Sequence, residues 1–203
     1  MHYHQKGVEL MYRFLCNIIK CFMCLIFRIK VTGSDNIPKD GPFILCANHI
    51  SAWDPPLLQV FIKRRIYFMA KDELFHVFFV GLVMKLIKAI PVKRTGSDIT
   101  AIKTSMKVLK NGECLGIFPT GQREKVKGEG EVKGGVALLA LKTKAPVVPV
   151  HIDADYRIFS RIKMTIGTPR VYEVPTDRDK ATSEDVEIIS KEIYSSILSA
   201  RQE

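Results

Sequence analysis

Asn48, His49 and Asp54 stand in one short run, Asn48-His49-Ile50-Ser51-Ala52-Trp53-Asp54, directly after an apolar segment. Imidazole is the side chain best matched to proton transfer near neutral pH. A carboxylate five residues on can reach back to one ring nitrogen and leave the other facing a substrate, as in a Ser-His-Asp triad. Such a pair takes its proton from an acceptor's own hydroxyl, so no enzyme serine is required. Two plainer readings fit the same residues. Asp54 before Pro55 and Pro56 has the form of a helix N-cap, and His49 has the form of a buried, hydrogen-bonded histidine.

A second group follows the apolar residues 114–118. Phe118-Pro119-Thr120-Gly121-Gln122-Arg123 places an arginine in a glycine-containing turn, with Lys125, Lys127 and Lys133 close behind. Guanidinium binds phosphate oxygens two at a time, and backbone N–H groups in such turns add to it. Arg94 ends another extended segment. Brought over His49, these loops would form an anion pocket beside a general base; otherwise they are a solvated basic surface. His76 and His151 have no carboxylate at the motif spacing and read as structural, and His2 and His4 read as tail residues.

The elements that would position these groups alternate between strand and helix patterns. Residues 29–33, 42–47, 66–70, 90–93, 114–118, 146–152 and 163–167 read as strands. Residues 55–62, 134–142 and the stripe Val186, Ile189, Ile193 and Ile197 read as helices, the last capped by Thr182 or Ser183. Ile102, Met106 and Leu109 mark a further helix, capped by Ser97 and stopped by Gly112. Residues 75–90 are apolar enough for either a surface groove or a core helix, and periodicity does not separate the two. The order predicts an α/β fold with a mixed, largely buried sheet flanked by helices.

The chain has 203 residues with 47% hydrophobic and 26% charged, which excludes wholesale disorder. Its net charge of +10 calls for an anionic partner: nucleic acid, a membrane surface or a phosphorylated substrate. No nucleic-acid motif or aromatic–basic interleaving is present, which disfavours the first. Five cysteines form no disulfide framework, so a reducing, cytosol-facing setting is the simpler reading. Residues 14–27 are apolar except for Asn17 and Lys20, shorter than the ~20 residues of a span and without a signal-peptidase site. On a helix, Glu9, Arg13, Asn17, Lys20 and Arg28 gather on one narrow stripe. Such a helix suits lying in a membrane interface; a core helix and a span are the alternatives. Cys16, Cys21 and Cys24 lack the partners of a metal site. Residues 1–30 therefore read as an amphipathic membrane-associating segment and 31–203 as the catalytic domain.

Taken in order, these motifs resemble the 1-acylglycerol-3-phosphate O-acyltransferase family of glycerolipid acyltransferases. Four blocks match over roughly residues 10–170: Asn48, His49 and Asp54; residues 71–94; residues 118–123; and Val148-Pro149-Val150. The resemblance implies transfer of a fatty acyl group from acyl-CoA or acyl-carrier protein to the sn-2 hydroxyl of 1-acylglycerol 3-phosphate, giving phosphatidic acid at the cytoplasmic face of a membrane. It implies His49 as base, Asp54 as its orienting acid, and Asn48, Lys71, Arg94, Gly121 and Arg123 as substrate-binding residues. No metal or organic cofactor is implied. The family's third block is usually Phe-Pro-Glu-Gly-Thr-Arg; Thr120 and Gln122 depart from it, with Glu124 a possible stand-in. The departure leaves glycerol 3-phosphate, another lysolipid or a non-phosphate alcohol open as acceptor. A non-catalytic anionic-lipid or nucleic-acid binding module is the reading from another class.

Overall fold

The computed structural model describes residues 2–93, 98–124, 130, 132–174 and 180–202. Helix α1 (His2–Ile26) leads into strand β1 (Arg28–Thr32), followed by β2 (Phe43–Ala47), α2 (Asp54–Phe61) and β3 (Ile66–Lys71). Helix α3 (Phe78–Leu86), β4 (Ile90–Val92), α4 (Ile99–Lys110), β5 (Cys114–Ile117) and α5 (Gly135–Thr143) come next. Strands β6 (Val147–Ala154) and β7 (Arg161–Ile166) and helix α6 (Ser183–Ser199) complete the order.

The strands form one seven-stranded sheet in the order β1-β7-β6-β2-β5-β3-β4. Strands β6, β2, β5, β3 and β4 run parallel, and β7 turns back antiparallel to β6 with β1 parallel to it. The sheet is mixed, as the alternation predicts. Successive side chains point to opposite faces. Phe43, Leu45, Val148 and Val150 pack with Leu57 and Leu58 of α2 and Met23 of α1 on one face. Ile44, Cys46 and Leu115 pack with Ala137 and Leu139 of α5 and Ile193 and Ile197 of α6 on the other.

Helix α1 divides its apolar surface between two surroundings. Tyr12, Met23 and, just past the helix, Phe27 are buried. Leu10, Met11, Phe14, Ile18, Phe22 and Leu25 stay exposed on another side. The core reading thus describes one stripe of this segment, and another apolar stripe is left uncovered. The polar stripe is tied down in part: Glu9 pairs with Arg13 at 3.1 Å and with Arg65 at 2.9 Å. Arg65 also lies over the Tyr12 ring at 3.8 Å and donates to the Leu86 carbonyl at the end of α3. Among the described residues no helix is long and apolar enough to cross a membrane.

One sequence expectation changes and two open alternatives are decided. The apolar stretch 75–90 is not a core helix: it breaks at Val77 between a 3-10 turn (Asp72–His76) and α3, and only Gly81 of α3 is buried. Phe78 and Phe79 are 81% and 77% exposed. Asp98, not Ser97, caps α4, accepting from Ala101 N–H at 2.9 Å; Ser97 lies outside the described residues. Thr182 is the cap of α6, in a reciprocal capping box with Asp185.

Candidate active site

The C-terminal ends of parallel strands share one sheet edge, where α/β folds place their sites. His49 follows β2, Arg123 follows β5, and Lys71 ends β3, all on that edge. Arg94, after β4, lies outside the described residues, as do Lys125 and Lys127.

His49 Nδ1 is 2.8 Å from Asp54 Oδ2. The same oxygen accepts the backbone N–H groups of Ile50 and Ser51, each at 2.7 Å. Asp54 is the first residue of α2 and is fully buried, with Trp53 at the cap position and Pro55 and Pro56 opening the helix. Its carboxylate therefore turns back over the His49 loop and does not cap α2, which corrects the N-cap reading. Hydrogen bonds to a carboxylate are worth roughly 1.5–3 kcal/mol each, so this cluster offsets the cost of burying the group. The imidazole stacks on Phe118 at 4.2 Å and 21° between planes, and Phe118 stacks on Phe68 at 5.8 Å. With Nδ1 committed and 18% of the side chain exposed, Nε2 is the ring nitrogen left for a substrate.

Asn48 is buried, and both ends of its amide are engaged by β6: Nδ2 donates to the Ile152 carbonyl at 2.9 Å and Oδ1 accepts Ile152 N–H at 2.7 Å. In this arrangement the side chain braces β2 against β6 immediately before His49.

The third block wraps against the first. Glu124 N–H donates to the His49 carbonyl at 2.7 Å. Gly121 has φ +66, a conformation that favours glycine, and a Cβ there would sit 3.2 Å from the Lys133 side chain. Lys133 thus lies over the turn that carries exposed Arg123. Thr120 is buried, and its hydroxyl donates to the Gln122 carbonyl at 2.7 Å, closing the turn. Glu124, the residue weighed as a stand-in for the missing glutamate, lies beside Tyr194 of α6, and its charge, after burial, helps push that phenol up to about 12. Lys71 is exposed and pairs with Glu73 at 2.9 Å. His76 is exposed, 3.6 Å from Asp72, so it is not part of the packing. His151 is buried, and burial holds its pKa below the usual value.

One contact at the dyad was not foreseen. Tyr156, in the loop after β6, donates its hydroxyl to Asp54 Oδ1 at 2.6 Å. It lies 102 residues from its partner, so no local spacing announces it.

The Acyltransferase family profile matches residues 28–153, and the chain belongs to that family, the O-acyltransferases. More particularly, it is 34% identical over 165 residues to a 1-acyl-sn-glycerol-3-phosphate acyltransferase of Bacillus subtilis (strain 168), covering 78% of this chain and 82% of that one. A second such enzyme, from Streptococcus pneumoniae (strain ATCC BAA-255 / R6), is 30% identical over 197 residues, covering 93% of this chain and 72% of that one. The crystal structure of the 1-acyl-sn-glycerophosphate (LPA) acyltransferase PlsC from Thermotoga maritima superposes with a TM-score of 0.76 at 25% identity. The match covers 100% of this chain and 83% of that one.

Proposed function

We propose that this enzyme transfers a fatty acyl group from an acyl thioester to the sn-2 hydroxyl of 1-acylglycerol 3-phosphate, forming phosphatidic acid. The observation that carries the reading is the 2.8 Å contact between His49 Nδ1 and buried Asp54. With Nδ1 held by the carboxylate, Nε2 takes the hydroxyl proton as the oxygen attacks the thioester carbonyl. The tetrahedral intermediate collapses, the carbon–sulfur bond breaks, and the imidazolium returns the proton to the leaving thiolate. Acyl-CoA or acyl-carrier protein brings the activated carbonyl, so the chemistry requires no resident metal or cofactor. Arg123 and Lys133 supply cations for the acceptor phosphate on the turn hydrogen-bonded to His49; Arg94 and Lys71 are further candidates at the same sheet edge.

The work takes place at an anionic membrane surface. The exposed stripe of α1 and exposed Leu74, Val77, Phe78, Phe79 and Leu82 form apolar surface of the kind that enters a lipid interface. The free cysteines fit the cytosol-facing side. One observation favours a second reading within the same chemistry: Thr120 leaves the third-block turn with no carboxylate at that position, so glycerol 3-phosphate or another lysolipid is the alternative acceptor.

The test is thiol release in detergent, with acyl-CoA and acyl-carrier protein each offered beside 1-acylglycerol 3-phosphate. Release should require the lysolipid and fall ~10²–10⁴-fold in His49→Ala. Undiminished release in that variant would overturn the mechanism; release only with glycerol 3-phosphate would establish the second reading.

A further inference from the structure

The Asp54 carboxylate is held unevenly. Its Oδ2 receives three donors, all from residues within five positions: His49, Ile50 and Ser51. Among the described residues, Oδ1 receives one, the hydroxyl of Tyr156. Among the described residues that bond is the hydrogen bond to the carboxylate that comes from the loop after β6.

We propose that Tyr156 is a positioning residue for acyl transfer, fixing the Asp54 carboxylate so that Oδ2 stays on His49 Nδ1 and moderating the carboxylate's pull on the imidazolium. This rests on His49 as general base. Four observations support it. Tyr156 has φ +53, a conformation rare for a residue with a bulky side chain and found where surrounding structure over-determines it. Its ring meets Phe27 edge-on at 5.7 Å and 87°, so the end of α1 sets the ring's direction. The loop is stitched to that same end: Phe159 N–H donates to the Ile26 carbonyl at 2.7 Å, and Arg28 N–H to the Ser160 carbonyl at 3.0 Å. Burial, then the Asp54 charge, hold the phenol well above its ordinary pKa, so it remains a neutral donor throughout the working range.

A donor on Oδ1 does two things. It stops the carboxylate from rotating about its own axis, which keeps Nε2 aimed outward. It also takes up part of the negative charge, so the imidazolium is held less tightly than by a carboxylate lacking that bond.

The experiment uses the full chain with acyl-CoA and 1-acylglycerol 3-phosphate, and compares Tyr156→Phe, His49→Ala and the parent. Tyr156→Phe should lower kcat about tenfold, leave both KM values within about twofold, and move the acid limb of the kcat/KM profile up by about half a pH unit. In an Asp54→Asn background the same change should have little further effect. Should the phenylalanine variant fail to fold, 3-fluorotyrosine at position 156 keeps the shape and strengthens the donor, and the acid limb should then move to lower pH. If kcat and the acid limb stay at parent values while His49→Ala is inactive, the role of Tyr156 is refuted and the base survives. A loss of activity that follows thermal stability with no movement of the acid limb also refutes it. An active His49→Ala overturns the underlying reading instead.

Discussion

At the residue scale, the backing of His49 depends on a glycine in the adjacent strand. A Cβ at Gly116 of β5 would lie 2.4 Å from two ring carbons of Phe68. Phe68 supports Phe118, and Phe118 supports the imidazole. Gly116→Ala should therefore tilt the stack, costing about 1–3 kcal/mol of stability through overpacking and several-fold in kcat. Thermal melts and turnover on the same preparation check this, and unchanged values of both would show that the stack does not hold the ring. The dyad was legible because His49 and Asp54 are near neighbours in sequence, and their types and spacing carry the chemistry. Tyr156, Phe68 and Arg65 were not legible. Each acts across a gap in sequence that only the folded sheet closes.

At the element scale, α1 and α3 show what amphipathicity does and does not reveal. Both are apolar over most of their circumference, and periodicity alone assigns neither to core nor to lipid. Packing decides: α2 has room for one stripe of α1, and the sheet leaves nearly all of α3 uncovered. Phe14 and Ile18 lie on the free stripe of α1. Burying one such side chain is worth about 1.5–3 kcal/mol, so Phe14→Ser with Ile18→Ser should weaken vesicle binding by about a hundredfold or more. Because both are exposed, the melting temperature should hardly change. Sedimentation with phosphatidylglycerol vesicles measures this, and unaltered binding would remove α1 from the interface. Strand β7 shows a further limit. The sequence marked residues 163–167 as a strand, but a strand pattern reads the same in either direction, and the reversal against β6 appears only in the pairing. The cap of α4 was misplaced by one residue because Ser97 and Asp98 are both good caps.

At the scale of the whole molecule, a net charge of +10 makes copies of the chain repel one another and so opposes self-association. Edge strand β1 presents Arg28 and Lys30, in register with Arg161 and Lys163 of β7. Charged side chains along an open edge discourage another strand from pairing there. The buried His151 sets a pH limit on the fold. Burial depresses its pKa, opposed by the charges of Asp153 and Glu124 and aided by that of Arg201. A depressed histidine contributes stability that is complete above the unfolded value of 6.5 and is lost as pH falls toward the folded one. The melting temperature should thus decline as pH falls below 6.5, and His151→Gln should flatten that decline. Parallel pH dependence in both proteins would assign it to other groups. Finally, the division of α1 between exposed and core-facing stripes bears on any effort to shorten the enzyme. Removing residues up to Phe27 to gain solubility would open a hole where Met23 sits and strip the ring edge from Tyr156. The shortened protein would dissolve more readily while its aspartate lost the support that aims the base, so an inactive soluble fragment would say little about the need for a membrane.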